Sequence, residues 1–396
     1  MTLLPCKDRF DLPGGVIYLD GNSLGPLPKG AAERALAVIR GEWGGELIRA
    51  WNTADWISLP RRVGDRIARL IGAPAGSVAT GDTLSIKVYQ ALAAALRMRP
   101  GRKVILSDSG NFPTDLYMAQ GLIDTIGGGY ELRTPAPAAV AGAITEDVAA
   151  VLLTQVDFRT GRMHDMAAIT RRAQAAGAVM IWDLAHSAGA MPVDLAASGA
   201  EFAVGCTYKF LNGGPGAPAF IYARPDIVGE VRPALAGWMG HDDPFAMEAA
   251  YRPAMSTERL RVGTPPIVQL SILDAAMDAW DGIDMAEIRA ASIELSELFI
   301  REVEARCPQL TLVSPRAAAE RGSQVSFAFA QGYAAIRALI DQGVIGDFRA
   351  PDIMRFGLTP LYLGREDILR AADILGRVIG DGLWRDPKYQ AKSRVT

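Results

Sequence analysis

The chain has 396 residues, of which 49% are hydrophobic and 21% are charged, a composition typical of a globular protein that is long enough for two domains. Its 41 basic and 44 acidic side chains give a formal net charge of -3. The sequence therefore lacks the basic excess that binding to nucleic acid or to an anionic membrane requires. We expect a small-molecule partner, with no nucleic acid and no membrane.

The cysteines and the amino terminus indicate the cellular compartment. Cys6, Cys206 and Cys307 are odd in number and far apart, which predicts neither a disulfide framework nor a pair of metal ligands. The three histidines have no zinc-site spacing, so we expect no metal. No charged leader precedes an apolar stretch, and no apolar run is long enough to span a bilayer. These features predict a cytoplasmic protein.

The middle of the chain alternates short apolar runs with helical stretches. Buried strands are predicted at four runs: 103–106, 151–154, 179–182 and 202–205. Between them, residues 165–176 have an amphipathic pattern, and Gly177 is suited to end a helix. This alternation predicts an α/β fold with a mostly parallel sheet covered by helices, in which ligands bind at the carboxyl ends of the strands.

The pattern changes after about Pro266. A long helical stretch, broken near Gly282, is followed by two strand-like runs and two further helices, at 310–313, 323–329, 334–341 and 365–379. We expect a large domain over 46–266 and a smaller α+β domain over 267–396. Residues 1–45 are expected to form a segment that packs with the small domain.

Residues 205–216 read Gly-Cys-Thr-Tyr-Lys-Phe-Leu-Asn-Gly-Gly-Pro-Gly and place Lys209 just after a predicted strand. The glycine, asparagine and proline residues favour tight turns. Lys209 is a candidate for a lysine that forms a Schiff base, provided that its surroundings lower its pKa. A surface lysine in a glycine-rich loop is equally compatible with this segment taken alone.

A second segment favours the Schiff-base interpretation. Asp183 follows another predicted strand, about one strand–helix–strand step before Lys209. A carboxylate at this place can pair with a protonated pyridine nitrogen, which keeps a pyridoxal ring cationic. Alone, Asp183 is more simply a capping or turn residue. The combination with Lys209 favours a pyridoxal-phosphate enzyme.

Two further segments are compatible with that cofactor. Residues 79–85 precede a helical run over 86–96, where free N–H groups and the hydroxyl of Thr83 or Ser85 can bind a phosphate. The alternative is simple capping by Asp82 or Thr83. In the loop 109–115, Phe112 can stack on the pyridine ring or can anchor the loop to the core.

Taken together, residues 18–25 (Tyr-Leu-Asp-Gly-Asn-Ser-Leu-Gly), 182–189 and 208–218 resemble the kynureninase family, and the resemblance extends from Leu19 to Tyr362. It implies a fold like that of aspartate aminotransferase, pyridoxal phosphate as cofactor and a homodimer. It also implies cleavage of L-kynurenine or 3-hydroxykynurenine, with L-kynurenine giving anthranilate and L-alanine in tryptophan catabolism.

The resemblance assigns roles to matching positions. Lys209 would carry the cofactor, and Asp183 would pair with the ring nitrogen. The other residues implied to bind the cofactor are Leu84, Ser85, Phe112, Asp115, Thr154, His186, Tyr208, Trp238 and Thr264. Trp238 and Thr264 would reach the phosphate in the dimer, and Thr264 departs from some relatives, which carry asparagine.

The same resemblance implies the substrate contacts. Arg355 would bind the α-carboxylate as a bidentate pair, with Asn22 and Ser23 nearby. Without the resemblance, Arg355 is an ordinary surface arginine. Tyr208 is a candidate for proton transfer beside the catalytic Lys209 and Asp183, and a purely phosphate-binding role for Tyr208 stays open.

Three alternatives remain. A cysteine desulfurase or selenocysteine lyase of the same fold needs a cysteine on a mobile loop, and Cys307 lies at the end of a predicted helix before Pro308. An aminotransferase shares the lysine and the aspartate. A non-catalytic regulator that binds pyridoxal phosphate usually carries a DNA-binding module, for which this chain has no spare segment.

Overall fold

The structure is a computed structural model that describes residues 4–391. Its strands are β1 (Ile17–Tyr18), β2 (Val78–Thr80), β3 (Val104–Leu106), β4 (Glu131–Arg133), β5 (Val148–Thr154), β6 (Val179–Asp183), β7 (Phe202–Gly205), β8 (Phe220–Ala223), β9 (Thr311–Leu312), β10 (Gln324–Ala328), β11 (Val344–Ile345), β12 (Asp347–Arg349) and β13 (Ile353–Gly357). Its helices are α1 (Ala31–Leu36), α2 (Ala50–Thr53), α3 (Leu59–Leu70), α4 (Leu84–Met98), α5 (Pro113–Ile126), α6 (Val140–Ala143), α7 (Met166–Ala175), α8 (Leu195–Ser198), α9 (Ile267–Ala276), α10 (Met285–Arg306), α11 (Gly332–Asp341) and α12 (Arg365–Gly380).

The large sheet has seven strands in the order β2-β8-β7-β6-β5-β3-β4. Strands β7, β6, β5, β3 and β4 are parallel, and β8 is antiparallel to both of its neighbours. Successive residues of β5 enter different cores, because Leu152 packs on one face and Val151 and Leu153 pack on the other. Both faces are buried, which confirms the predicted mostly parallel sheet covered by helices.

The strand order brings the predicted functional residues to one edge. Strands β5, β6 and β7 are neighbours, and Thr154, the last residue of β5, is paired in register with Asp183, the last residue of β6. Lys209 follows the end of β7 by four residues. The three side chains therefore meet at the carboxyl ends of adjacent parallel strands, where α/β sheets bind ligands.

A second, antiparallel sheet has the order β12-β13-β10-β9, and α10 and α12 pack against each other beside it. Its core includes Phe299, whose ring lies edge-on to Phe327 and Phe356 with centroids 6.2 and 5.0 Å away. Strand β1 pairs in parallel with β11. The domain boundaries after residues 45 and 266 stay predictions. Residues 1–3 of the predicted N-terminal segment and residues 392–396 of the predicted small domain lie outside the described part.

The predicted elements are present with shifted ends. The helix expected at 165–176 is α7, which is capped by the Asp165 side chain accepting from Ala168 N–H and is followed by Gly177 at φ 75°. The break expected near Gly282 lies between α9 and α10. Across residues 4–391, no helix combines the length and the apolar character needed to span a bilayer.

Candidate active site

Lys209 lies in a turn-rich loop at the end of β7, where Asn212 and Gly214 have φ values of 60° and 84°. This backbone directs the lysine back over the edge of the sheet. Its Nζ atom is 3.0 Å from Nε2 of His186 and 5.9 Å from the centroid of the Phe112 ring. The alternative interpretation of Lys209 as a surface lysine in a glycine-rich loop is wrong, because its amine contacts the buried imidazole of His186.

His186 is 4% exposed. Burial, followed by the positive charge of Lys209, holds the pKa of His186 well below its usual value. The imidazole is therefore neutral at pH 7, and its Nδ1 atom is buried without a hydrogen-bond partner. A buried polar atom of this kind is suited to contact a bound molecule.

Two carboxyl groups lie beneath this amine. Asp183 accepts a hydrogen bond from Ala185 N–H at 2.8 Å, and its Oδ2 atom lies 3.3 Å from the Thr154 hydroxyl. Burial raises the pKa of Asp183 and the charge of Lys209 opposes that rise, whereas burial and then the charge of Asp183 raise the pKa of Asp115 well above its usual value. Two buried carboxyls therefore share one nearby ammonium, and a second cation would be stabilised there.

Phe112 is 39% exposed and directly precedes α5, and its ring also packs against the buried Phe158, so both the stacking role and the anchoring role stay open. The side chain of Asn111 holds the backbone of Phe112. The Asn111 amide donates to Ser107 Oγ at 2.9 Å, and its oxygen accepts from Phe112 N–H at 2.7 Å and from the Thr154 hydroxyl at 2.5 Å. Sequence reasoning did not single out Asn111, although an asparagine just before a helix start is a signal for side-chain-to-backbone bonding.

The start of α4 has no side-chain cap. Thr83 precedes the helix without capping it, and Asp82 pairs instead with Lys87, whose Nζ atom is 2.9 Å away. Lys87 is fully buried and also donates to the Leu260 carbonyl at 3.2 Å. The capping alternative is therefore wrong, and the N–H groups at the beginning of α4 have no side-chain acceptor. Such a helix start attracts an anion.

Arg355 is 1% exposed, so the alternative of a surface arginine is wrong. Its guanidinium pairs with Asp347 through Nε at 2.6 Å and through Nη2, and it donates to the Phe158 carbonyl at 2.5 Å. Its Nη2 atom also lies 3.0 Å from Ser23 Oγ. Asn22, next to Ser23, is fully buried with both amide atoms unpartnered. Asp347 was not predicted from the sequence.

Three predicted residues lie at the margin of this group. Tyr208 is half-buried, its ring centroid is 5.8 Å from the Lys209 Nζ atom, and burial raises the pKa of its hydroxyl. Trp238 is 37% exposed and packs edge-on against Phe245 at 5.7 Å. Thr264 is exposed. The contribution of Trp238 and Thr264 to a phosphate site stays a prediction about the dimer.

The cysteines bear on the desulfurase alternative. Cys307 is fully buried, as are Cys6 and Cys206 at 5% and 3% exposure. The described cysteines therefore present no exposed thiol that could carry a persulfide. Within residues 4–391, no group of three or more histidine, cysteine, aspartate or glutamate side chains could hold a metal ion.

Comparison with solved structures identifies the fold. The chain superposes on the cystine C–S lyase C-DES carrying glycine covalently linked to its pyridoxal-phosphate cofactor, with a TM-score of 0.81, 19% identity and coverage of 93% of this chain and 98% of that one. For a cysteine desulfurase from Thermococcus onnurineus NA1, the TM-score is 0.79 at 18% identity, with 95% and 97% covered. The fold is that of aspartate aminotransferase-like enzymes.

Comparison with sequences identifies the family. The kynureninase C-terminal domain model matches residues 288–375. Kynureninase from Pseudomonas fluorescens is 50% identical over 402 residues, covering 100% of this chain and 97% of the relative. Kynureninase from Burkholderia pseudomallei (strain 1106a) is 49% identical over 401 residues, covering 100% and 96%. The chain belongs to the kynureninase family.

Proposed function

We propose that this protein binds pyridoxal phosphate at the Lys209–Asp183 site and cleaves the Cβ–Cγ bond of L-kynurenine hydrolytically, giving anthranilate and L-alanine. The observation that carries the proposal is the meeting of Lys209 and His186 with the buried carboxyls of Asp183, at the end of β6, and Asp115, in α5. It occurs in a chain 50% identical to a kynureninase over its whole length. The lysine and the carboxyls supply the amine and the charge that the cofactor needs.

The residues present fit the cofactor. The uncapped start of α4 at Leu84 and Ser85 suits its phosphate, and the exposed ring of Phe112 suits its pyridine face. Asp183 and Asp115 are both buried with raised pKa values, and a protonated ring nitrogen would add a second positive charge there and favour the ionised form of Asp183. Pyridoxal phosphate, when bound, supplies an electron sink for a carbanion on the substrate.

Side chains of the protein transfer the protons. Lys209 is within reach of the position above Phe112, and we assign to its amine the removal of the proton from substrate Cα. The neutral His186 beside it accepts from Lys209 through Nε2, so its Nδ1–H would donate a hydrogen bond to a ring substituent of the bound cofactor. Tyr208 is the candidate for returning a proton in the later steps, and phosphate binding is its alternative role.

We assign to Arg355 the binding of the substrate's α-carboxylate. The guanidinium lies beside Ser23, and a planar fork of donors matches a carboxylate. Asn22 has unpartnered amide atoms in the same region, which suits a polar contact with substrate.

The assembly is proposed as a homodimer in which Trp238 and Thr264 of one copy complete the phosphate site of the other. Both side chains are partly or fully exposed in the single chain, as residues that meet a second copy would be. Buried, unpaired cysteines are compatible with the reducing cytoplasm, which we propose as the location.

The test is to incubate the purified holoenzyme with L-kynurenine and, separately, with 3-hydroxykynurenine. Fluorescence then follows anthranilate, and amino-acid analysis follows alanine. The proposal expects one alanine for each anthranilate formed from L-kynurenine. Absence of anthranilate, together with sulfide from cysteine or a keto acid from another amino acid, would transfer the assignment to a desulfurase or an aminotransferase.

A further inference from the structure

Asp347 and Arg355 face each other directly across two antiparallel strands. They are register partners between β12 and β13, and they are 4% and 1% exposed. Arg355 Nε donates to one oxygen of Asp347 at 2.6 Å, and Nη2 donates to the other. Burial raises the pKa of Asp347, but hydrogen bonding to Arg355 outweighs that effect and keeps the pKa below its usual value. The aspartate is therefore ionised.

The donors of Arg355 are nearly all in use. A guanidinium has five N–H groups. Asp347 takes two of them along the Nε–Nη2 edge, the Phe158 carbonyl takes one from Nη1 at 2.5 Å, and Ser23 Oγ lies 3.0 Å from Nη2. Because Asp347 fills the Nε–Nη2 edge, only the edge between Nη1 and Nη2 can take a further planar acceptor. Ser23 keeps a partner if the substrate displaces it from Nη2, because its hydroxyl also lies 2.7 Å from Asp347.

We propose that Asp347 is a positioning residue, which locks the guanidinium of Arg355 side-on so that only its Nη1–Nη2 edge is presented to the α-carboxylate of the substrate. This inference rests on the proposed function, in which Arg355 binds that carboxylate. A guanidinium that is already held in one orientation loses less conformational freedom on binding than a mobile one.

Arg349 explains why the negative charge of Asp347 does not cancel the positive charge of the site. Its Nη2 atom lies 2.9 Å from Asp347, so two guanidinium groups share one ionised carboxylate. These three groups together carry one positive charge for an incoming anion, and the neighbouring Asp20 offsets it only when Asp20 is ionised. The carboxylate of the substrate enters at the Nη1–Nη2 edge, beside Ser23.

The test compares holoenzyme variants with L-kynurenine and with L-alanine, whose binding is followed through cofactor absorbance. In Asp347→Asn, the loss of side-on pairing should raise the KM for L-kynurenine and the Kd for L-alanine by about tenfold, with kcat changed by less than about twofold. In an Arg355→Lys background, adding Asp347→Asn should change either constant by less than about twofold, because a lysine has no edge to orient. If the increases in KM or Kd caused by the two substitutions multiply in the double variant, the inference is overturned.

The matched control is Asp373→Asn, which removes an exposed aspartate paired with Arg377 and should leave both constants unchanged. Thermal unfolding checks each fold, and Asp347→Glu replaces Asp347→Asn if the latter does not fold, since an added methylene also shifts the guanidinium. If wild type binds L-alanine in an Asp347-dependent way but forms no anthranilate, the inference stands and the proposed substrate fails. If wild type cleaves L-kynurenine and Asp347→Asn leaves KM unchanged, the inference fails alone.

Discussion

Phe112 and Phe158 pack edge to face, with ring centroids 5.3 Å apart and planes at 88°. The carbonyl of the same Phe158 accepts a hydrogen bond from Arg355 at 2.5 Å and another from Gln324 at 3.0 Å. A single residue after β5 thus contacts both the proposed cofactor platform and the proposed carboxylate-binding arginine. Phe158 therefore connects the two proposed binding groups.

Phe112→Leu tests the platform. Aromatic contacts contribute about 0.5–1.5 kcal/mol beyond buried area, so the dissociation constant for pyridoxal phosphate should rise by about 2–10-fold. Spectrophotometric titration of the apoenzyme measures it. Tyr117→Leu is the control, because Tyr117 is a 69% exposed aromatic on α5, the helix that Phe112 precedes. Equal affinities for all three proteins would contradict stacking by Phe112.

Asp183→Asn tests the charge beneath the ring. Removing one partner of a buried charge pair costs about 3–5 kcal/mol, so kcat/KM for L-kynurenine should fall by about 10²–10³-fold or more. Steady-state anthranilate fluorescence is the measurement. Asp165→Asn is the matched control, since asparagine caps α7 as well as aspartate does. Activity of Asp183→Asn close to that of the control would exclude the assigned role.

Asn111→Ala tests the connection between the platform and the sheet. The substitution leaves the Phe112 N–H and the hydroxyls of Thr154 and Ser107 without their shared partner. Unpaired buried polar groups cost about 1–3 kcal/mol, so the free energy of unfolding in urea should fall by about that amount. Asn52→Ala, at an exposed position, serves for comparison. Indistinguishable unfolding curves would show that the network carries no stability.

Asp20 gives a pH dependence of stability. Burial and then the charge of Asp347 raise the pKa of Asp20 to about 7. The folded protein therefore keeps a proton that the unfolded chain loses above about pH 4, so this group lowers stability as the pH rises from about 4 to 7. At about 1.4 kcal/mol per pKa unit, Asp20→Asn should reduce that loss by a few kcal/mol.

Urea unfolding of wild type and Asp20→Asn at several pH values between 4 and 8 measures this effect. Asp11→Asn is the control, because Asp11 is exposed in the same segment. Parallel pH profiles for wild type and Asp20→Asn would contradict a proton held at Asp20.

Local sequence signals identified the elements that position Lys209 and Asp183. Apolar runs marked the strands, and Asp165 with Gly177 marked the ends of α7. Strand β8 was not predicted, because four residues are too few to show a periodic pattern, and its antiparallel direction cannot be read from them either. Its place depends on contacts that no local pattern encodes.

The missed site residues have the same explanation. Asp347 meets Arg355 only through the register of two strands. Asn111 bonds to Thr154, which is 43 residues later in the chain. Lys87 and Asp82 are five residues apart, yet their pairing became visible only once α4 was shown to begin at Leu84. Long-range pairing determined the first two contacts, and the start of α4 determined the third.

The most direct test of the proposed Lys209–cofactor linkage is borohydride reduction of the holoenzyme, followed by digestion and mass spectrometry. We predict a pyridoxyl group on Lys209, none in Lys209→Ala, and an unchanged group in the control Lys103→Ala, whose lysine packs over Tyr130 4.1 Å away. A pyridoxyl group on any other lysine of the wild-type protein, or one that persists in Lys209→Ala, would contradict the assigned site.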